Sequence, residues 1–369
     1  MLEQEDISNE ARELLLVPKG FIGDFILMSP VFRALKESNP TRRLVLLAPV
    51  GLGSYAAKNQ FIDEVITFDR RRDYKGIGGL FRFARMMRER KFESVCSFHM
   101  SVRTSILLFL SRIPRRIGYS GAMSSLLYTQ RIKKNEEQHE VLRNVSLIED
   151  LISQPWSKRL KRAVPSAAND ISLEVPEVVN GDVGERVRAV CSSPKGYVIL
   201  APGSAWKTKQ WTSDGFRSVA EQLSRRGDRV VIVGADGDAH TASLVSEGQD
   251  VVNLCGETSL AELTYLIQHA RGVVCNDSLA LHIASAVKTP SVVIFCATSP
   301  RFGFGPWNTR SIVLEKGQLF CKPCRRHGSN RCPIGSMACS AGVSSDMVLK
   351  ALDDVMAPDR EDGIEMRIV

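Results

Sequence analysis

Short apolar runs alternate along this chain with longer stretches whose apolar residues recur at helical spacing. From Leu14 the run LLLVP leads into a glycine turn, Lys19-Gly20-Phe21-Ile22-Gly23-Asp24. A stretch to about Ser38 follows, with Ile26, Leu27, Val31 and Leu35 on one helical face. That pattern predicts strand, turn, helix. Further strands are predicted at 44–48, 65–68 and 94–98, with a helix over about 80–90. After a stretch of weak periodicity at 158–185, containing Pro165, Ser166, Pro176 and Gly181, the rhythm restarts. Strands are predicted at 197–200, 230–234, 251–254, 272–275 and 291–295, and helices at about 213–225, 259–270 and 279–286. Strands alternating with helices indicate an α/β chain with parallel, doubly wound sheets. The weak stretch is the predicted crossover between two Rossmann-like domains, 1–175 and 176–369. Two such domains facing each other leave a cleft at the carboxyl ends of their strands, where ligands bind in this architecture.

Length and composition agree with this picture. A chain of 369 residues exceeds one ordinary core, and 44% hydrophobic with 24% charged residues describes a folded globular protein rather than a disordered one. The longest uninterrupted apolar run, Ile106 to Leu110, is far short of the roughly 18 residues that cross a bilayer. The start, MLEQEDISNE, lacks a basic region followed by an apolar one, so the expected compartment is the cytoplasm. The net charge of +8 is unevenly spread: residues 1–170 hold 28 Lys and Arg against 19 Asp and Glu, and the remainder hold 21 against 22. A basic first half suits nucleic acid, an anionic acceptor or an anionic membrane surface, or is simply a solvated basic surface. No recognition motif or aromatic stacking pattern points to nucleic acid.

The turns at the strand ends carry the candidate chemistry. Neither GFIGD nor Gly234-Ala235-Asp236-Gly237-Asp238 is a GxGxxG fingerprint, and GxxxxGK[ST] is missing; nicotinamide and P-loop chemistry are therefore poorly supported. Asp24 reads either as a helix cap or as a carboxylate base for an attacking hydroxyl. Asn276-Asp277-Ser278 ends a strand and opens a helix, whose free N–H groups form a site for a phosphate. Lys207 and Lys209 read as loop charges or as cations that neutralise a leaving diphosphate. Asp238 reads as an Asx-type turn or a ribose contact. His282, one helical turn beyond Ser278, reads as a structural histidine or a ligand contact.

Taken together, these stretches resemble glycosyltransferase family nine, the lipopolysaccharide heptosyltransferases. The matching segments are GFIGDFILMSPVFRAL, SFHMSVRTSILL, RIGY and HEVLRN in the first half. In the second half they are APGSAWKTKQW, VGADGD, GETSLAELTYLI and NDSLALHIASA. The resemblance implies a GT-B fold with an acceptor-binding first domain and a nucleotide-sugar-binding second one. It also implies inverting transfer of a heptose, from ADP-heptose, to a lipid-linked or anionic glycan acceptor of the lipopolysaccharide core. Residue by residue, it implies Asp24 as the base and Lys209 as the donor-phosphate lysine. Ser204, Lys207, Asp238, Asp277, Ser278 and His282 fall at the donor, and His99, Arg103 and His139 at the acceptor. No catalytic cofactor is implied. A sugar-nucleotide epimerase and a non-catalytic nucleotide-sugar binder are the alternatives.

Three features stand apart. The family has glycine where this chain has Leu279, so a loop that needs positive φ or a close backbone approach would be strained. Cys321, Cys324, Cys332 and Cys339 have, in part, metal-ligand spacing, and read as a structural zinc or iron site or as reduced thiols with a role in the fold. The other five cysteines read as buried thiols. Leu80 to Arg88 reads as a basic amphipathic helix that either lies on anionic membrane, giving a peripheral location, or packs its apolar side on the first sheet.

Overall fold

A computed structural model describes residues 13–69, 72, 75–121, 123–152, 170–177, 179–357 and 363–368. Pro165, Ser166 and the segment MLEQEDISNE lie outside the described residues. The chain divides into two compact units. The first holds the described residues to Asn135 and those from Val141 to Ile152; the second holds Glu136–Glu140 and the described residues from Asp170 onward.

The first unit runs β1 (Glu13–Val17), α1 (Ile22–Ile26), α2 (Ser29–Ser38), β2 (Arg43–Pro49), α3 (Val50–Ala56), β3 (Glu64–Phe68), α4 (Gly76–Glu89), β4 (Ser94–Ser97), α5 (Val102–Leu110), β5 (Arg115–Tyr119), β6 (Gln130–Ile132) and α6 (Glu140–Ser146), with Glu140 belonging to the second unit. Its six strands are parallel in the order β3-β2-β1-β4-β5-β6. The central strands are near-continuous apolar runs because both faces of a doubly wound sheet are covered. The helix expected to reach Ser38 is two helices. Pro30 sits in the first turn of α2, where a missing N–H costs nothing and φ is already suitable. On α4 the apolar side packs on the sheet: Phe83, Ala84 and Met87 join Leu15, Val45 and Val95 in one core.

The second unit contains α7 (Gly181–Cys191), β7 (Tyr197–Ala201), α8 (Ser213–Arg225), β8 (Arg229–Ile232), α9 (Ala239–Ser246), β9 (Val252–Asn253), α10 (Leu260–His269), β10 (Gly272–Asn276), α11 (Leu279–Val287), β11 (Ser291–Phe295), β12 (Ser311–Glu315), α12 (Ala338–Ala341), α13 (Ser345–Met356) and β13 (Ile364–Ile368). Its seven strands, also parallel, run β13-β12-β11-β10-β7-β8-β9. In each sheet the strand order reverses once, between β1 and β4 in the first and between β7 and β10 in the second. Such switch points open a crevice at the carboxyl ends of the strands. No helix among the described residues is long and apolar enough to cross a membrane.

Candidate active site

In the first unit the turns after β1 and β4 flank the switch point, and they carry Asp24 and His99. Asp24 stands in the first turn of α1 rather than at its cap, which is Phe21. Its Oδ1 lies 3.4 Å from Lys19 Nζ, so a cation of the same glycine turn faces the carboxylate. His99 Nδ1 is 3.2 Å from Thr104 Oγ1, and the His99 carbonyl accepts from Ser97 Oγ at 3.1 Å. Arg103, in the first turn of α5, donates to the Gly76 carbonyl at 3.2 Å. His139 belongs to the second unit, where its ring stacks on Trp307 at 4.4 Å and Nε2 lies 3.0 Å from the Gly305 carbonyl. That gives His139 an anchoring contact, reinforced by Glu140 N–H donating to Gly303 O at 2.8 Å.

In the second unit the loops after β7 and β10 meet around Asn276, which is fully buried. Its amide donates to Pro202 O at 2.7 Å while its Oδ1 accepts from Trp211 N–H at 2.9 Å, so one side chain pins both ends of the lysine loop. Ser204 Oγ donates to Asp277 O at 3.0 Å. Asp277 Oδ2 receives Lys209 Nζ at 2.7 Å and Thr298 Oγ1 at 2.7 Å. Lys209, Asp277 and Thr298 thus form one largely buried charged cluster directly before the N-terminus of α11. An ammonium has three N–H donors, so Lys209 bonded to Asp277 keeps donors for an anion. Lys207, on the same 3-10 turn, is exposed and lies outside this cluster.

His282 lies inside α11, 7% exposed, with Nδ1 lacking a hydrogen-bond partner among the described residues. Burial pushes its pKa down to about 4; the Asp277 carboxylate opposes that shift and the Lys209 ammonium adds to it. The imidazole is therefore neutral at pH 7. Asp238 turns back on its own loop. Its Oδ2 accepts from Ala235 N–H at 3.1 Å, and the carboxylate rests so closely on Gly203 that a Cβ there would meet Oδ2 at 2.1 Å. Burial raises its pKa, against the lowering effect of the Ala235 bond.

The strain expected at Leu279 does not arise. Ser278 is the extended N-cap, and Leu279 is the first helical residue of α11 and is not among the residues with positive φ. Any L-residue adopts that conformation.

The cysteine segment has a definite neighbour. Thr208 N–H and Oγ1 both donate to Ser329 O, at 3.0 and 2.8 Å, and Oγ1 accepts from Ser329 N–H at 2.8 Å. Gly328, at φ +76°, passes so near that a Cβ would meet Lys209 Cγ at 3.0 Å. Cys324 N–H donates to Ala297 O at 2.9 Å. The segment is a strap across the lysine loop. All nine cysteines are free. Burial raises Cys324, and the nearby Cys321, Cys339 and Cys332 add to the rise; backbone N–H groups led by that of Met337 lower Cys332. Among the described residues, no group of three or more His, Cys, Asp or Glu is arranged to hold a metal ion. Cys96, Cys275 and Cys296 are buried, while Cys191 and Cys255 are half-buried.

Thr298, Thr208 and Ser329 escaped sequence reading. Their only signal was position, at a strand end for Thr298 and between two lysines for Thr208. Asn276 stood in the Asn-Asp-Ser motif but carried no role of its own there.

The sequence model of glycosyltransferase family 9 (heptosyltransferase) matches residues 80–334. Lipopolysaccharide heptosyltransferase 2 of Salmonella typhimurium is 24% identical over 303 residues, 79% of this chain and 84% of the relative. Among solved structures, E. coli ADP-heptose lps heptosyltransferase II aligns with a TM-score of 0.72 at 21% identity, over 93% of this chain and 98% of that one. A family 9 glycosyltransferase from Veillonella parvula aligns at 0.77 with 21% identity, over 94% and 97%. Similarity to such structures at these identities speaks for the fold, which is GT-B, two parallel α/β units.

Proposed function

The chain belongs to glycosyltransferase family 9, and from that premise we propose that it transfers heptose from ADP-heptose to a lipopolysaccharide core acceptor, with inversion at the anomeric carbon. The observation that carries this reading is the Lys209–Asp277–Thr298 cluster at the N-terminus of α11. It offers an anion one pinned ammonium and a row of helix N–H donors. The named activities of relatives from Salmonella and E. coli support the choice of sugar and acceptor.

In the proposed reaction Asp24 takes the proton of an acceptor hydroxyl, and the oxygen attacks the anomeric carbon from the face opposite the diphosphate. The carbon–oxygen bond to phosphate breaks, and ADP leaves with the bonding pair. Lys209, with Lys207 at the loop surface and the N–H groups at Ser278, offsets the charge that builds on ADP. His282, neutral, serves as a hydrogen-bonding group beside the phosphates. Ser204 and Asp238 complete the donor side, with Asp238 at the ribose, and His99 and Arg103 contact the acceptor. With these donors present the step needs no divalent cation. The four cysteines act as reduced thiols in a strap over the lysine loop; one equivalent of zinc or iron in purified protein would overturn that role. We place the enzyme in the cytoplasm, peripheral to an anionic membrane.

Incubation with ADP-heptose, with and without the lipid acceptor, tests the reading by ADP release. Acceptor-dependent release is expected. Release of free or epimerised sugar without acceptor would assign an epimerase instead, and tight donor binding with no release would assign a binder.

A further inference from the structure

The apolar side of α4 is spent on the sheet core, so that helix does not lie flat on a membrane. What remains exposed is a set of large apolar side chains at the carboxyl edge of the first sheet. Ile77 and Phe81 stand on the opening turns of α4, and Val102 opens α5. Met123 and Leu126 stand on the 3-10 turn after β5. Ile77 is 76% exposed, Met123 88% and Leu126 71%. These elements adjoin one another: α4 packs on α5, α5 packs on the 3-10 turn, and Arg103 reaches from α5 to the carbonyl of Gly76. Sequence-distant residues thereby form one surface. Isolated exposed apolar residues need no explanation, but a contiguous set of them does.

Charge decides what covers it. Residues 75–131 hold eleven Lys and Arg, of which Lys75, Arg82 and Arg103 stand toward this edge, while Arg88, Arg90, Lys91, Arg112, Arg115 and Arg116 stand with Glu89 and Glu93 toward the opposite one. Both acids lie toward the far end of α4 from Ile77: Glu89 is its last residue, and Glu93 follows it. Lys75, Arg82 and Arg103 are exposed among the apolar tips. Apolar side chains on opening turns, rimmed by cations, match the boundary of an anionic bilayer. There apolar tips enter the acyl region while cations stay at the phosphates.

We propose that this edge of the first unit seats on an anionic lipid bilayer. The same sheet edge carries Asp24 and His99 after β1 and β4, so seating would bring a membrane-anchored acceptor to the base. That consequence rests on the proposed function; the seating itself does not.

Vesicle co-sedimentation of the full chain tests it, using phosphatidylcholine with phosphatidylglycerol against phosphatidylcholine alone. Wild type is expected to bind the anionic vesicles and to release as salt rises. Met123→Ser with Leu126→Ser, both at exposed positions, is expected to lower partition about tenfold or more. Lys75→Gln with Arg82→Gln should lower it roughly fivefold per charge. Turnover on a deacylated, water-soluble acceptor should stay at the parental value in both variants, and turnover on the vesicle-embedded acceptor should fall. Equal binding to both vesicle types, or full binding by either variant, overturns the proposal. So does concentration-dependent self-association lost in the Met123/Leu126 variant without vesicle binding, which would assign the patch to a second copy. Vesicle binding by a protein that transfers no heptose would overturn the activity and leave the seating intact.

Discussion

Replacing Thr208 by valine asks whether the cysteine strap holds Lys209 in its bonded position. Valine keeps the volume and β-branching of threonine, so backbone and packing are undisturbed, and the bond from residue 208 N–H to Ser329 O survives. The two hydroxyl bonds, each 2.8 Å, are lost, and the Ser329 N–H is left without its acceptor. A neutral hydrogen bond nets about 1 kcal/mol. Ser329 is only half-buried, so water recovers part of the loss, and a total of about 1–2 kcal/mol is expected. The strap stays attached through Cys324 N–H to Ala297 O, so the effect is loosening rather than release. Lys209 follows Thr208 directly, and a lysine freed to sample other rotamers forfeits up to about 2 kcal/mol of preorganisation. Donor kcat/KM should therefore fall about tenfold, with Thr208→Ser restoring it because serine retains the hydroxyl. Urea unfolding and ADP-release kinetics on the three proteins read both quantities. If Thr208→Val stays within about 0.5 kcal/mol of the parent, the range of a neutral surface change, and keeps its kcat/KM, the strap does not position the lysine.

Asp24→Asn should lower turnover by about 10²–10⁴, the usual share of a general base, with donor affinity by calorimetry unchanged. An acid in a first helical turn is worth at most about 1 kcal/mol to the fold, so a folded but inactive variant is expected; near-normal turnover would put the base elsewhere. His282 has a folded pKa of about 4 against an ordinary 6.5. Stability should be flat above pH 7 and fall as pH drops from 6.5 towards 4, because the unfolded chain takes up a proton that the buried ring refuses. The total is about 3 kcal/mol. His282→Gln should flatten that part of a stability–pH curve from chemical denaturation, and an unchanged slope would refute the assignment. Leu279→Gly, at the first helical position, should cost up to about 1 kcal/mol in thermal melts and should not tighten ADP-heptose binding; a clear gain in affinity would show that backbone approach is limiting there.

Local pattern determined much of this protein without any coordinates. Continuous apolar runs such as LLLVP and SVVIF, short and bounded by turn residues, read as strands covered on both faces, and glycine turns and helix-opening polar residues at their ends marked the candidate site. Periodicity failed where the chain is irregular or charged. Strand β5 begins with Arg115 and Arg116, α7 arises inside a stretch of weak pattern, and Pro30 splits one expected helix into two. Tertiary structure alone decided which side chains meet. Lys209, Asp277 and Thr298 are separated by 68 and 21 residues in sequence, and nothing local encodes their convergence. It follows from β7, β10 and β11 lying side by side in a parallel sheet, which delivers three strand ends to one edge. For the same reason the strap on Thr208, the anchoring of His139 on Trp307 and the helical conformation of Leu279 were invisible to spacing. Each depends on long-range packing and hydrogen bonding, whose partners the chain brings together only after it has folded.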